Sequence, residues 1–334
     1  MATDVALDIG TSSSRLATTD AGVIFNEPTL VAIDTRTGNV VEVGYGALDL
    51  VARTSRHVVA FRPLAQGATV DFDVTARLLS GLLERAGVSR VSRVRVVMSV
   101  PSLATAIERR ALRQAAVQAG AREVSLIEAP LAAAIGLGLP VQDPVGSAVT
   151  VLGGGASEAA LISLGGIVTS GTRRHGGSDL DGAISSLLRH RYGVVVSPAT
   201  AEMLKINLSS ALGRTRDLSE TIMARTVETG ELLELEVGAD LVNAAVHDVL
   251  NSSVKMVQES LAGAPPDLSQ DVSARGLTLV GGLARMPDVA ELIATGTGVE
   301  VKVADDPELV VIKGLQLCLD EMSSLHALFR SADR

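Results

Sequence analysis

Val5-Ala6-Leu7-Asp8-Ile9-Gly10-Thr11-Ser12-Ser13 is the stretch on which the fold turns. A short apolar run ends at Asp8 and the chain turns at Gly10. Arg15 to Thr18 then supplies a second strand, so the stretch predicts a β-hairpin. A tight turn of this kind presents successive backbone N–H groups, and glycine lets phosphate oxygens come close. A carboxylate beside it is suited to the water shell of a magnesium ion. An ordinary hairpin turn would read the same way, so this motif alone decides nothing.

The arrangement returns further along. Residues 147–152 form an apolar strand that runs into Gly153-Gly154-Gly155-Ala156-Ser157-Glu158, and a strand at 158–164 comes back. Three glycines between apolar strands add little packing, which suggests close approach of another group; a flexible hairpin is the competing reading. Leu279-Val280-Gly281-Gly282 is a third strand ending in a glycine turn. Two strand–glycine–strand openings predict two related α/β halves facing each other.

Between these motifs, 30–33, 40–43 and 124–127 read as strands. Residues 74–86 read as a helix, with Val74, Leu78, Leu79, Leu82 and Leu83 at helical spacing. Val94 to Val100 is a buried strand stopped by Pro101. Thr105 and Glu108 have the spacing of a capping box, and Pro130 opens an Ala-rich helix. Residues 179–250 read as mostly helical with a strand pair near 222–237. Helices are expected at 287–294 and 308–327, and Ala264-Pro265-Pro266-Asp267 reads as a loop.

Composition narrows the function. A chain of 334 residues is long for one core and predicts two domains or two halves around a cleft. With 2% aromatic residues and a net charge of -9, base stacking and general nucleic-acid binding are not expected. The lone Cys318 rules out a disulfide framework within the chain and fits a reducing cytoplasm. Neither a signal peptide nor a transmembrane run is expected.

The order and spacing of the glycine turns resemble the superfamily of actin, sugar kinases and heat-shock chaperone ATPases. More closely, the chain is similar to the MreB/Mbl family of bacterial actin homologues over nearly its whole length. The similarity is carried by Asn26-Glu27-Pro28 with Val31-Ala32-Ile33, Ile107-Glu108-Arg109-Arg110-Ala111 and Gly120-Ala121-Arg122-Glu123-Val124. It continues through Leu126-Ile127-Glu128, Pro130 to Gly136, Ala199-Thr200-Ala201-Glu202 with Lys205, and Ala304-Asp305-Asp306-Pro307.

The resemblance implies a two-lobed, actin-like (ribonuclease H-like) α/β fold with four subdomains around a nucleotide cleft. These would be IA at 1–31, 71–142 and 309–334, IB at 32–70, IIA at 143–178 and 240–308, and IIB at 179–239. It implies ATP with Mg2+ as ligands. Gly10, Thr11 and Ser12 would hold phosphate from one lobe, and Gly153, Gly154 and Gly155 from the other. Glu202 and Lys205 would flank ribose and base, Gly281 and Gly282 would line the adenine side, and Asp8 would hold magnesium through water. Glu202 and Lys205 share a helix face and would equally read as a surface ion pair.

Three positions depart from the family pattern. An Asp of the metal shell is Val151 here. The carboxylate before the proline, which orients the attacking water, is Ala129. A Gly-Gly-Asp motif reads Gly176-Gly177-Ser178. Loss of a positioned base typically costs about 10²–10⁴ in rate, whereas backbone N–H cradles still bind phosphate. Glu128, one residue away, is expected to face elsewhere.

The expectation is a cytoskeletal protein of cell shape or wall synthesis, binding nucleotide with impaired hydrolysis. It would assemble with itself or with a true MreB, with cell-wall synthesis proteins as further partners. The location expected is cytoplasmic, at the inner membrane face. The loop from Arg85 to Arg93 carries arginines without large apolar anchors, so a solvated loop and weak contact with anionic lipid both remain open. A working ATPase or a small-molecule kinase is the rival. The kinase needs a substrate-binding insertion and a cleft base, and the sequence signals neither.

Overall fold

The structure is a computed structural model, and it describes residues 4–52, 57–88, 94–214 and 217–320. Two five-stranded sheets dominate it, with the same connectivity. In the first, Val5–Ile9, Ser13–Thr18 and Gly22–Pro28 form an antiparallel meander. Val94–Val100 then pairs parallel with Val5–Ile9, and Ala121–Glu128 parallel with Val94–Val100. In the second, Ser147–Leu152, Ser157–Ser163 and Gly166–Arg173 form the meander. Leu277–Val280 pairs parallel with Ser147–Leu152, and Val301–Val303 with Leu277–Val280. Each glycine turn therefore follows the carboxyl end of the corresponding strand in its sheet, which is where open α/β sheets place ligands.

Helices Ala129–Gly136 and Val310–Asp320 lie between the two sheets. Ala6, Ala17 and Val97 of the first sheet and Val149, Ala160 and Val280 of the second bury against Leu131, Ala132, Ile312 and Leu315. Small residues allow this thin layer. A Cβ at Gly314 would lie 1.8 Å from the Ala132 carbonyl oxygen, so the two helices cross backbone to backbone only because Gly314 has none. On its outer face the first sheet carries Phe72–Arg85 and Ala106–Gln118, whose Leu78, Leu79, Leu82 and Ala115 are fully buried. The outer face of the second sheet packs on Gly177–Tyr192 and Ala239–Ala262 through Leu180, Ile184, Val242 and Val246. Two three-stranded sheets lie outside these layers, beside a two-stranded one of Leu64–Ala65 and Ala68–Thr69. One pairs Val31–Asp34 with Val40–Val43 and Val58–Phe61; the other joins Val194–Val195, Ser219–Thr226 and Leu232–Gly238.

The capping box forms as read: Glu108 N–H donates to Thr105 Oγ1 at 3.2 Å, and Thr105 N–H to the Glu108 carboxylate at 2.8 Å. One reading is corrected. Pro265 and Pro266 do not sit in an open loop: Pro265 is the cap and Pro266 the first residue of helix Pro266–Arg275. Proline's fixed φ suits that first helical position, where its missing N–H is not required. Within the loop considered for lipid contact, Arg85 is committed to Glu27 at 3.0 Å and lies over the Phe25 ring. Residues 89–93 of that loop, and 321–327 of the last expected helix, lie outside the described residues.

Candidate nucleotide-binding cleft

The two glycine turns meet. Both are closed by the same bond: Gly10 N–H donates to the Ser13 carbonyl at 3.0 Å, and Gly153 N–H to the Ala156 carbonyl at 2.9 Å. What Gly10 and Gly153 offer a ligand is therefore space, not a donor. Across the cleft, a Cβ on Gly154 would lie 2.1 Å from Ser12 Oγ, and one on Gly155 would lie 2.2 Å from Thr11 Oγ1. The turns pack against each other as only glycine permits. Thr11 Oγ1 also accepts from Gly67 N–H at 3.1 Å, and Ser12 Oγ bonds Ser178 Oγ at 3.1 Å. The hydroxyl standing in for the family's aspartate is thus a cross-cleft contact.

Behind the turns is a cavity of about 430 Å³, within the usual range for a small-molecule site. Asp8, Gly10, Thr11, Ser12, Gly153, Gly154, Gly155, Glu202, Lys205, Gly281 and Gly282 all line it, as do Ala129 and Val151. The structure brings every expected position together. It also adds residues to which the sequence reading gave no role, among them Arg15, Ser99, Glu158, Arg285 and Glu308.

Lys205 is not paired as the surface reading had it. On helix Pro198–Leu208 its Nζ reaches Asp181 at 2.8 Å and the Gly177 carbonyl at 3.2 Å. Burial raises the Asp181 pKa, and the Lys205 charge opposes that shift. Glu202, one turn earlier, is exposed on the cavity wall. Also lining the cavity, Arg285 clasps Glu308 at 2.6 and 2.8 Å.

The floor is short of free carboxylates. Val151 is buried among apolar neighbours. Ala129 is the first residue of its helix, and its side chain has no polar atom to give. Glu128, the last residue of its strand, does not line the cavity, as strand alternation leads one to expect, and is held by Arg109 at 2.9 Å. Glu158 is fully enclosed and accepts from Ser102 N–H at 2.7 Å. Burial pushes its pKa up to about 7 against that hydrogen bond. Asp8 accepts from Ser99 Oγ at 2.7 Å and from Arg15 at 3.2 Å.

The sequence pattern of the MreB/Mbl protein family matches residues 2–327. The chain belongs to the MreB/Mbl family. It is 37% identical to the cell shape-determining protein MreB of Escherichia coli K12 over 329 residues, covering 97% of this chain and 94% of that one. It is 32% identical to the cell shape-determining protein Mbl of Bacillus subtilis, over 97% and 98% of the two chains. Among solved structures it resembles MreB5 of Spiroplasma citri, bound to ADP, with a TM-score of 0.88, 27% identity and 98% of each chain covered. The AMPPNP-bound form of MreB5 gives a TM-score of 0.89 at 26% identity. The fold is thus the actin-like fold of this family. Among the described residues, no helix is long and apolar enough to cross a membrane.

Proposed function

We propose that this MreB/Mbl family member is an actin-like cytoskeletal protein of cell shape or wall morphogenesis. In this reading it binds ATP or ADP in the cleft between the sheets and turns ATP over poorly. The observation that carries it is the pairing of an intact glycine cradle with a floor lacking two carboxylates. Gly154 and Gly155 still meet Thr11 and Ser12, while the side chains of Val151 and Ala129 have no polar atom to hold or orient water. Relatives named as cell shape-determining proteins, and an MreB5 bound to ADP and to AMPPNP, support the nucleotide and the process. Glu158, paired with Val151 across the second hairpin, is already engaged by the Ser102 N–H at 2.7 Å.

Self-association, or co-assembly with a catalytically complete MreB, follows from the same reading, in the cytoplasm or at the inner membrane face. The small sheets are assigned to subdomains IB and IIB, and the five-stranded sheets to IA and IIA. The kinase alternative is weakened by length: the chain and E. coli MreB match over 97% and 94% of their lengths, leaving no room for a substrate-binding insertion. Steady-state phosphate release and ATP-dependent sedimentation of the purified protein test the proposal. Sedimentation with negligible release is the expected result. Release at the rate of E. coli MreB measured alongside would overturn the impaired-hydrolysis part.

A further inference from the structure

Magnesium is the family's companion to the nucleotide, and the residues of this floor do not fit it. Asp8 is the remaining carboxylate of the metal shell, and both its oxygens are engaged, Oδ1 by Ser99 and Oδ2 by Arg15. The second shell position is Val151, in apolar packing. A hydrated divalent ion needs acceptors for its water, and here it meets a carboxylate already in use and the methyl groups of a valine.

We propose that Arg15 takes the place of the divalent cation, so that a nucleoside di- or triphosphate binds in this cleft without metal. The inference rests on reading the cleft as a nucleotide site. Arg15 belongs to strand Ser13–Thr18 and lies directly opposite Asp8 in the hairpin register, so the backbone itself sets the pair. Its side chain is 13% exposed and lines the cavity with Gly10, Thr11 and Ser12. Nη1 is on Asp8, while the buried Nε has no hydrogen-bond partner in the protein, so the guanidinium is under-satisfied without a ligand.

Charge favours the exchange. Two carboxylates with a divalent cation make a neutral floor; Asp8 with Arg15 beside Val151 makes a neutral floor too. The phosphates meet the same net charge, and no deficit is left for a metal to fill. A guanidinium stays charged at any working pH and presents a planar fork matched to phosphate oxygens. The other carboxylate near Arg15 does not compete for it, because Glu308 is clasped by Arg285.

The test is titration calorimetry of the full chain with ADP and with ATP, in EDTA and in Mg2+, with thermal melts to confirm folding. The expected result is a Kd in EDTA that equals or betters the Kd in Mg2+, within about 3-fold. Arg15→Met is expected to weaken metal-free binding by at least about 10-fold and to make binding Mg2+-dependent, since Asp8 is then released. Arg15→Lys keeps the charge, retains part of the metal-free binding, and serves if the Met variant fails to fold. Wild-type binding more than about 3-fold tighter in Mg2+, or metal-free binding unchanged in Arg15→Met, overturns the role of Arg15 and leaves the nucleotide site standing. Absence of binding by ADP and ATP in both buffers overturns both.

Discussion

Val151 and Glu158 face each other as paired residues across the second hairpin, so a buried apolar side chain and a buried acid share one end of the cleft floor. The pairing has a pH signature. Burial lifts the Glu158 pKa from 4.5 to about 7. Below pH 4.5 the carboxyl is neutral in folded and unfolded chains alike. As pH rises the unfolded chain ionises first, so stability falls until about pH 7, where the folded carboxyl also ionises. Glu158→Gln keeps an acceptor for Ser102 N–H and removes the charge. Its stabilisation is expected to be near zero at pH 4, to grow through the window between the two pKa values, and to level off at no more than about 3 kcal/mol. Denaturant melts of both proteins across pH are the measurement; a difference independent of pH would remove Glu158 from the account.

The contact between the turns is tested at Gly154. A methyl group there would sit 2.1 Å from Ser12 Oγ and 2.7 Å from Ser12 Cβ, so the hairpins must separate. Gly154→Ala is expected to lower nucleotide affinity by at least about 10-fold, with far-UV circular dichroism unchanged. Unaltered affinity would mean that the cradle does not act through this contact.

Stability depends on a second close approach, at Gly314. Its added Cβ would meet backbone, the Ala132 carbonyl oxygen at 1.8 Å, and not a side chain that can swing away. Gly314→Ala is expected to cost about 3 kcal/mol or more in denaturant melts. A loss below about 1 kcal/mol would mean that the helices between the sheets slide apart easily.

Much of this was legible from the chain because it is local. The turns at Gly10 and Gly153 lie between adjacent apolar strands, and the capping box of Thr105 and Glu108 spans three residues. The strand Gly166–Arg173 went unread because its burial pattern is largely half-exposed and lacks clean alternation. The site's polar wiring is mostly non-local. Ser99 reaches Asp8 across 91 residues through parallel pairing, and Lys205 finds Asp181 by helix packing that no spacing rule reveals. Arg15 is the exception. Extending the Gly10 hairpin by register places it opposite Asp8, and a basic residue on the inner face was the available signal.

Repair of hydrolysis is the next expectation. Val151→Asp with Ala129→Glu restores the two missing carboxylates, and each alone is expected to do little because they serve one reaction. The double variant is expected to exceed the sum of the singles in phosphate release. Adding Arg15→Met frees Asp8 and is expected to raise Mg2+-dependent release further, by about 10-fold or more, within the range a positioned base supplies. Singles that together match the double would show that the two positions do not cooperate.

The proposed function requires that nucleotide be held in this cleft and turned over poorly. The most direct measurement follows bound ATP itself: a single-turnover experiment with labelled ATP and excess protein, beside E. coli MreB treated identically. ATP is expected to be retained on the protein and cleaved at a rate at least about 10²-fold below that of the E. coli protein. Cleavage of bound ATP at a comparable rate would contradict it.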